Sequence, residues 1–149
     1  MPGVRVFVDT NVFLYARQLL FDAKRERAVL WLEFATNRQI AATNLQVLNE
    51  LTNALLRKRG DLTSAEVFAA VDDLAPLGTS PITDRTVVAA RHLRTRHGYS
   101  WWDCLLLASA IELGCTHFLS EDLQDGHQIA GLTIVDPFAH TPEQILTSL

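Results

Sequence analysis

The sequence predicts an α/β fold with a mainly parallel central sheet. Short strand-like segments alternate with helical segments along the chain, which is typical of that fold class. The predicted strands are residues 4–8, 39–42, 80–82, 116–119 and 132–135. The first of them is an apolar run without clean alternation, which indicates a strand buried on both faces, as in a parallel sheet.

Capping residues predict where the first two helices begin. A short helix should follow the first strand, because Thr10 and Asn11 are residue types that cap helix N-termini. Asp22 is expected to cap a longer helix over residues 23–36, in which apolar residues recur at helical spacing. The strand at residues 39–42 then follows.

Capping-box patterns predict three later helices. The patterns lie at residues 43–46, 63–66 and 100–103. The helices that begin there should end near Gly60, Gly78 and Gly114. Asp84 is expected to cap one more helix, which runs to residue 97 and is followed by Gly98. Strands at residues 116–119 and 132–135 complete the predicted sheet.

Length and composition indicate a globular protein. At 149 residues the chain is expected to form one domain, residues 1–149. A hydrophobic fraction of 48% with 20% charged residues is enough for a sizeable core and excludes an intrinsically disordered chain. No apolar run approaches the roughly 20 residues that span a bilayer, and no secretion-signal pattern is present. We therefore expect a cytoplasmic protein without a membrane partner.

The charge is negative overall but unevenly placed. A net charge of −4 and a pI of about 5.7 argue, by themselves, against a nucleic-acid-binding protein. A whole-chain charge can hide a basic face, however, and Arg91, Arg94 and Arg96 lie in one basic run. These three arginines could hold an RNA backbone, and a solvated helix face is an equally good interpretation.

Three aromatic residues follow the basic run. Tyr99, Trp101 and Trp102 could stack on an unpaired base. At least one of them is expected in the core, because large aromatic side chains usually are. Cys104 and Cys115 form no CxxC pair and are expected to be buried free thiols.

Four acidic residues stand out by position. Asp9 follows the first strand directly, and Asp122 follows the strand at residues 116–119. Glu50 and Asp103 lie in helices that can reach the same edge of a parallel sheet, where ligands bind. Taken singly, each has a structural alternative: a helix cap for Asp9 and Asp103, a solvated charge for Glu50, and a turn for Asp122.

A shared metal ion explains the four acids together. Carboxylates without a basic partner raise one another's pKa, which makes a bare cluster unfavourable. Mg²⁺ and Mn²⁺ prefer oxygen ligands, and the chemistry that they support on a phosphodiester is phosphoryl transfer. Thr10, Asn11 and Ser120 are expected to orient the acids and water through their hydroxyl and amide groups.

An ordered set of motifs resembles the PIN-domain ribonucleases. The motifs are Val-Asp-Thr-Asn-Val at 8–12, Asn-Glu-Leu at 49–51, Ser-Trp-Trp-Asp at 100–103 and Phe-Leu-Ser-Glu-Asp-Leu-Gln-Asp-Gly at 118–126. No single motif is specific, but the ordered set covers nearly the whole chain. The chain also looks like the VapC toxins of bacterial toxin–antitoxin pairs in its size. The resemblance implies a PIN-like three-layer α/β/α domain.

The same resemblance implies an activity and partners. It implies an endoribonuclease that depends on Mg²⁺ or Mn²⁺, with Asp9, Glu50, Asp103 and Asp122 as its catalytic and metal-binding residues. Asp125 could assist through water, although it lies one place from the family's most usual second loop acid. An RNA substrate, a cognate antitoxin and a homodimer are implied as well.

The antitoxin is expected on an apolar helix face. Residues 12–15 and 28–35 are the candidate docking surfaces, because a groove between helices suits an amphipathic partner helix. Two alternatives to a toxin stay open: a housekeeping RNA-processing nuclease of the same fold, and a catalytically silent module that binds RNA or protein. Four intact acids argue against the silent module, and a neighbouring small gene for a DNA-binding antitoxin would distinguish toxin from housekeeping enzyme.

Overall fold

A five-stranded sheet forms the centre of the computed structural model, which describes residues 3–146. The strands are β1 (Val6–Val8), β2 (Ala41–Ala42), β3 (His117–Leu119), β4 (Gln128–Ile129) and β5 (Leu132–Val135). Their order across the sheet is β2-β1-β3-β5-β4. The first four strands in this order run parallel to one another. The edge strand β4 runs antiparallel to its neighbour β5. The predicted mainly parallel sheet is confirmed.

Helices connect the strands and give the three-layer α/β/α arrangement that was predicted. They are α1 (Thr10–Arg17), α2 (Ala23–Asn37), α3 (Leu45–Lys58), α4 (Ser64–Asp72), a 3-10 turn (Ala75–Leu77), α5 (Asp84–His97), α6 (Trp101–Glu112) and α7 (Pro142–Leu146). None of the helices within residues 3–146 is both long and apolar enough to cross a membrane.

The core lies on both sides of β1, as its apolar sequence predicts. Val6, Phe7 and Val8 are fully buried, and the Phe7 ring stacks on Phe118 of β3 with 5.2 Å between ring centroids. Such burial of a whole strand is possible because helices cover both faces of the sheet. Trp31 of α2 is also fully buried, and its indole N–H donates to the carbonyl oxygens of Pro137 and His140.

The core also takes up much of the two faces that were expected to bind an antitoxin. Val12 and Phe13 of α1 are at most 2% exposed, and Ala28 and Ala35 of α2 are fully buried. Their apolar character therefore serves packing within the chain. Leu14, Tyr15 and Leu32 stay partly exposed, so only part of these two faces remains a candidate docking surface.

The predicted strand at residues 80–82 is wrong. That segment is irregular and runs beside the start of α3: the Leu45 N–H donates to the Ser80 carbonyl oxygen, and the Thr43 N–H donates to that of Leu77. The approach is close enough that a Cβ atom on Gly78 would collide with the Thr43 carbonyl oxygen. Because Pro81 has no N–H to donate, the segment is poorly suited to a sheet ladder.

Two helix caps are shifted by one residue from their predicted positions. Asn44, not Thr43, caps α3: its side chain accepts from the Val47 N–H and donates to Ser109 Oγ, at 2.9 Å each. Thr83, not Asp84, caps α5, through a reciprocal capping box with Thr86. In both places two adjacent residues can cap a helix; a tertiary contact to Ser109 accompanies the cap of α3, and the local capping box with Thr86 accompanies that of α5.

Candidate active site

Asp9 occupies the junction of β1 and α1. It caps α1, since its Oδ1 accepts from the Thr10 N–H at 2.7 Å. The alternative interpretation of this residue as a helix cap is therefore confirmed. The residue is only 7% exposed, and buried carboxylates require more than a cap to be satisfied. Capping therefore does not account for the whole environment of Asp9.

Three further carboxylates influence Asp9. Glu50 is half-buried on α3, Asp103 is half-buried in the first turn of α6, and Asp122 is exposed in the loop after β3. Burial raises the pKa of Asp9 from 3.8 to about 7, the Thr10 N–H opposes that rise, and the charges of Asp103, Glu50 and Asp122 add to it. The four predicted acids thus lie near enough to interact electrostatically, and we call them the acidic cluster.

Neutral groups make all the hydrogen bonds that the described residues give to these carboxylates. Thr10 Oγ1 donates to Glu50 Oε2 at 2.8 Å, and Gln46 Nε2 donates to Glu50 Oε1 at 3.1 Å. Asn11 Nδ2 donates to Asp122 Oδ2 at 3.2 Å.

The Asp103 carboxylate follows the same pattern. Ser100 Oγ donates to Asp103 Oδ2 at 2.7 Å, and the Asp103 N–H donates back to Ser100 Oγ, so the predicted capping role of this pair is present as well. No lysine or arginine of residues 3–146 forms a salt bridge with any of the four acids. The negative charge of the cluster is therefore unbalanced by the chain itself.

The residues expected to support the acids lie beside them. Thr10 contacts both Asp9, through its backbone, and Glu50, through its hydroxyl. Asn11 holds Asp122 from the other side, and Ser120 Oγ accepts from the Asp122 N–H at 3.3 Å. These short contacts fix the directions in which the carboxylates point, which is the role expected of groups around a metal site.

The donor set of the cluster fits Mg²⁺ or Mn²⁺. All four donors are carboxylates, which are hard oxygen ligands, and neither histidine nor cysteine is among them, as Zn²⁺ would prefer. Within residues 3–146, no three acidic, histidine or cysteine side chains are arranged to hold a metal ion by themselves. Mg²⁺ usually binds one or two carboxylates directly and keeps several waters, so it does not require three such ligands.

Asp125 faces away from this arrangement. Its Oδ2 lies 2.6 Å from His140 Nε2, and its Oδ1 accepts from the Asp136 N–H at 2.8 Å. Although partial burial raises its pKa, the Asp136 N–H and the His140 ring hold that pKa below the ordinary value. Both oxygens of Asp125 are thereby engaged in fastening the loop after β3 to the C-terminal segment.

The arginines of α5 do not form one patch. Arg91, Arg94 and Arg96 are all exposed, but the Arg94 guanidinium donates to the carbonyl oxygens of Gly98 and Tyr99 and so closes the end of the helix. Arg91 and Arg94 share a side of the helix by their spacing, whereas Arg96 lies on another. Their role in RNA binding stays a prediction.

Of the three neighbouring aromatic residues, one points to solvent. Tyr99 is half-buried, and its hydroxyl lies 2.7 Å from His127 Nδ1. Trp101 packs against a small core cluster that includes Cys104 and Ala108. Trp102 is 64% exposed.

Sequence analysis did not single out two residues that make contacts in or next to the acidic cluster. Gln46 lies four residues before Glu50 and hydrogen-bonds to it, a pair that helical spacing could have indicated. Lys24 of α2 lies 2.6 Å from Glu121, the neighbour of Asp122, and 3.3 Å from the Tyr15 hydroxyl. No local pattern signals this second contact, because 97 residues separate its partners in the chain.

Comparison with known proteins identifies the family. The PIN domain family matches residues 6–127 of the chain, whereas no curated protein matches it. Its fold is similar to a toxin–antitoxin complex from Klebsiella pneumoniae (TM-score 0.62, 17% identity, 89% of this chain and 97% of the other). It is also similar to Mycobacterium tuberculosis VapC20, a toxin that cleaves the sarcin–ricin loop (TM-score 0.58, 22% identity, 76% of this chain and 86% of the other). A third similar structure is FitAcB from Neisseria gonorrhoeae (TM-score 0.63, 17% identity, 89% of this chain and 98% of the other). The match over residues 6–127 spans the acidic cluster and most of the chain, and this protein belongs to the PIN domain family.

Proposed function

We propose that this protein is a metal-dependent endoribonuclease that hydrolyses RNA phosphodiester bonds at the acidic cluster. One observation carries the proposal: Asp9 is buried with a pKa near 7 beside three more carboxylates, and only neutral side chains hydrogen-bond to them. Buried charge in proteins is normally paired. A divalent cation would supply the missing positive charge, and through it the site could bind the anionic RNA phosphate.

The four acids share one role in this proposal. Asp9, Glu50, Asp103 and Asp122 would hold Mg²⁺ or Mn²⁺, directly or through water. The chemistry that such an ion supplies is activation of water and neutralisation of charge on the phosphoryl group. Thr10 fixes Glu50, and Asn11 fixes Asp122, so that carboxylate oxygens face the cluster before any ligand arrives.

The products distinguish this mechanism from that of other ribonucleases. Water is the expected nucleophile, attacking phosphorus in line with the 3′ oxygen, so each cut should leave a 5′ phosphate and a 3′ hydroxyl. Sequencing of RNA 5′ ends from cells after brief expression of the protein tests this. New 5′-phosphate ends at discrete sites, absent with Glu50→Gln, would support the proposal, and an unchanged set of ends would contradict it.

We further propose that the enzyme is the toxin of a toxin–antitoxin pair and acts as a homodimer in the cytoplasm. Similarity to a toxin–antitoxin complex and to a toxin that cleaves ribosomal RNA supports this, and structured RNA loops are the substrates to examine first. Expression of the chain alone should slow growth, and co-expression of a small gene encoded beside it should restore growth. If expression neither slows growth nor cuts RNA, the toxin proposal fails.

The connection between α1 and α2 offers a surface for the antitoxin. Leu19, Leu20 and Phe21 are 67%, 70% and 82% exposed, a costly arrangement for three consecutive large apolar side chains. They adjoin a groove of about 640 Å³ with Arg17, Arg25 and Arg59 among its lining residues and no acidic residue. An amphipathic segment with apolar anchors and acidic flanks would complement this surface. The variant Phe21→Asp should then lose antitoxin binding while it keeps RNA cleavage.

A further inference from the structure

Trp102 is the exposed aromatic residue beside the acidic cluster. It precedes Asp103 in the first turn of α6 and is 64% exposed, whereas its neighbour Trp101 is packed inside. Exposing so much aromatic surface is unfavourable, and buried or ligand-covered tryptophans are the rule. The position of Trp102 therefore indicates a surface that a ligand covers.

A groove of about 530 Å³ lies between Trp102 and the outer side of α3. Leu45, Gln46, Asn49, Glu50 and Asn53 line the α3 wall, and their spacing along the helix places them on one side of it. Glu50 belongs both to this groove and to the acidic cluster. A ligand in the groove would thus lie next to the site at which we propose that RNA is cut.

The chemistry of the groove suits a neutral heterocycle. No lysine, arginine or histidine is among the described residues that line it, so it offers nothing to a phosphate. It offers instead an indole face and three carboxamides, those of Gln46, Asn49 and Asn53. Gln46 already donates to Glu50, whereas Asn49 and Asn53 are exposed, and no hydrogen bond ties their amides to other described residues.

We propose that this groove is a base-binding subsite, in which one unpaired nucleobase beside the cleaved phosphodiester stacks on Trp102. This inference rests on the proposed ribonuclease activity. Aromatic faces stack on any base, and carboxamides pair with the donors and acceptors of a base edge, which is how proteins bind unpaired RNA. Asn49 and Asn53 are then the residues that select the base.

Binding of an uncleavable RNA tests the subsite apart from catalysis. The probe is a fluorescein-labelled hexanucleotide of 2′-O-methyl ribonucleosides with methylphosphonate linkages, compared with the same oligomer carrying an abasic residue at each position in turn. Trp102→Ala should weaken binding about 10-fold or more, and Trp102→Phe should keep most of it. One abasic position should weaken binding to the wild type by a similar factor, with no further loss in Trp102→Ala, because the two changes remove the same contact.

Phe68→Ala is the matched control, since Phe68 is a half-exposed aromatic residue of α4 that does not line the groove. The subsite would be overturned if Trp102→Ala bound the probe as tightly as the wild type does. It would also be overturned if the abasic residue weakened binding to Trp102→Ala and to the wild type by the same factor. Conversion of a dimer to a monomer by Trp102→Ala, with RNA binding unchanged, would assign the face to a second copy of the chain and also overturn it. Cleavage of ordinary RNA with Mn²⁺ is measured separately, so that loss of the proposed activity and loss of the subsite are distinguishable.

Discussion

Replacing Asp9 by asparagine should stabilise the metal-free protein, although it removes a residue of the candidate site. The folded protein raises the pKa of Asp9 from 3.8 to about 7, so it binds this proton more tightly than the unfolded chain does. The contribution of this carboxyl group to the stability of the fold is therefore fully present at pH values below 3.8. It is lost as pH rises through about 7. Asparagine does not ionise and can still accept from the Thr10 N–H as a helix cap.

The size of the effect follows from that difference in pKa. At about 1.4 kcal/mol per pKa unit, ionised Asp9 lowers the free energy of unfolding by about 4 kcal/mol at pH values above about 7. Roughly 2.7 kcal/mol of this develops between about pH 5 and about pH 8.5. Urea unfolding in EDTA at both pH values, followed by circular dichroism, measures the gain of Asp9→Asn over the wild type and its growth with pH.

A matched control separates this effect from helix capping. Asp22 caps α2 through the Arg25 N–H but lies outside the acidic cluster, so Asp22→Asn should change stability little and equally at both pH values. If Asp9→Asn is less stable than the wild type at about pH 8.5, or if its gain does not grow with pH, the electrostatic account of Asp9 is refuted.

Three variants and one change of condition also test the site. Glu50→Gln and Asp103→Asn should each lower RNA cleavage by about 100-fold or more with the circular dichroism spectrum unchanged, because each removes a carboxylate proposed to hold the metal ion that neutralises charge on the phosphoryl group. Thr10→Val should weaken Mn²⁺ binding about 10-fold by freeing Glu50, whereas Thr52→Val, which removes a hydroxyl bound only to the Leu48 carbonyl, should not. Mn²⁺ at about 100 times its Kd should stabilise the wild type by about 2.7 kcal/mol in urea unfolding, since only the folded chain presents the cluster. Activity retained in both acid variants, or unfolding that Mn²⁺ leaves unchanged, would contradict the assignment.

Local sequence signals predicted most of the fold because the elements agree with their intrinsic preferences. The apolar run at β1, the Asp22 cap of α2 and the capping box of α4 all lie where the chain indicated. One failure is a place where a distant contact decides: the segment at residues 80–82 pairs with the start of α3 instead of a sheet. The other, β4, is a two-residue strand in a tight hairpin with β5, too short to show a strand pattern in the sequence.

The acids of the site could be found from sequence because parallel strands end at one edge of a sheet. Strand ends indicated Asp9 and Asp122, and Glu50 and Asp103 were joined to them because their helices can reach the same edge, a grouping that the family resemblance also implies. The contacts in and around the acidic cluster were only partly foreseeable. Gln46 follows from helical spacing, but the Lys24–Glu121 ion pair joins elements far apart in the chain and emerges only from the tertiary structure.

Calorimetric titration of the purified protein with Mn²⁺ tests most directly whether the acidic cluster is a metal site. At pH 7 about half of the Asp9 side chains carry a proton, which metal binding must displace. Titrations in buffers of different ionisation enthalpy should therefore show binding with release of about half a proton per site at pH 7, falling towards zero at about pH 8.5. Asp9→Asn should bind Mn²⁺ more weakly and release no proton. Absence of binding at millimolar Mn²⁺, or binding that Asp9→Asn leaves unchanged, would contradict the account.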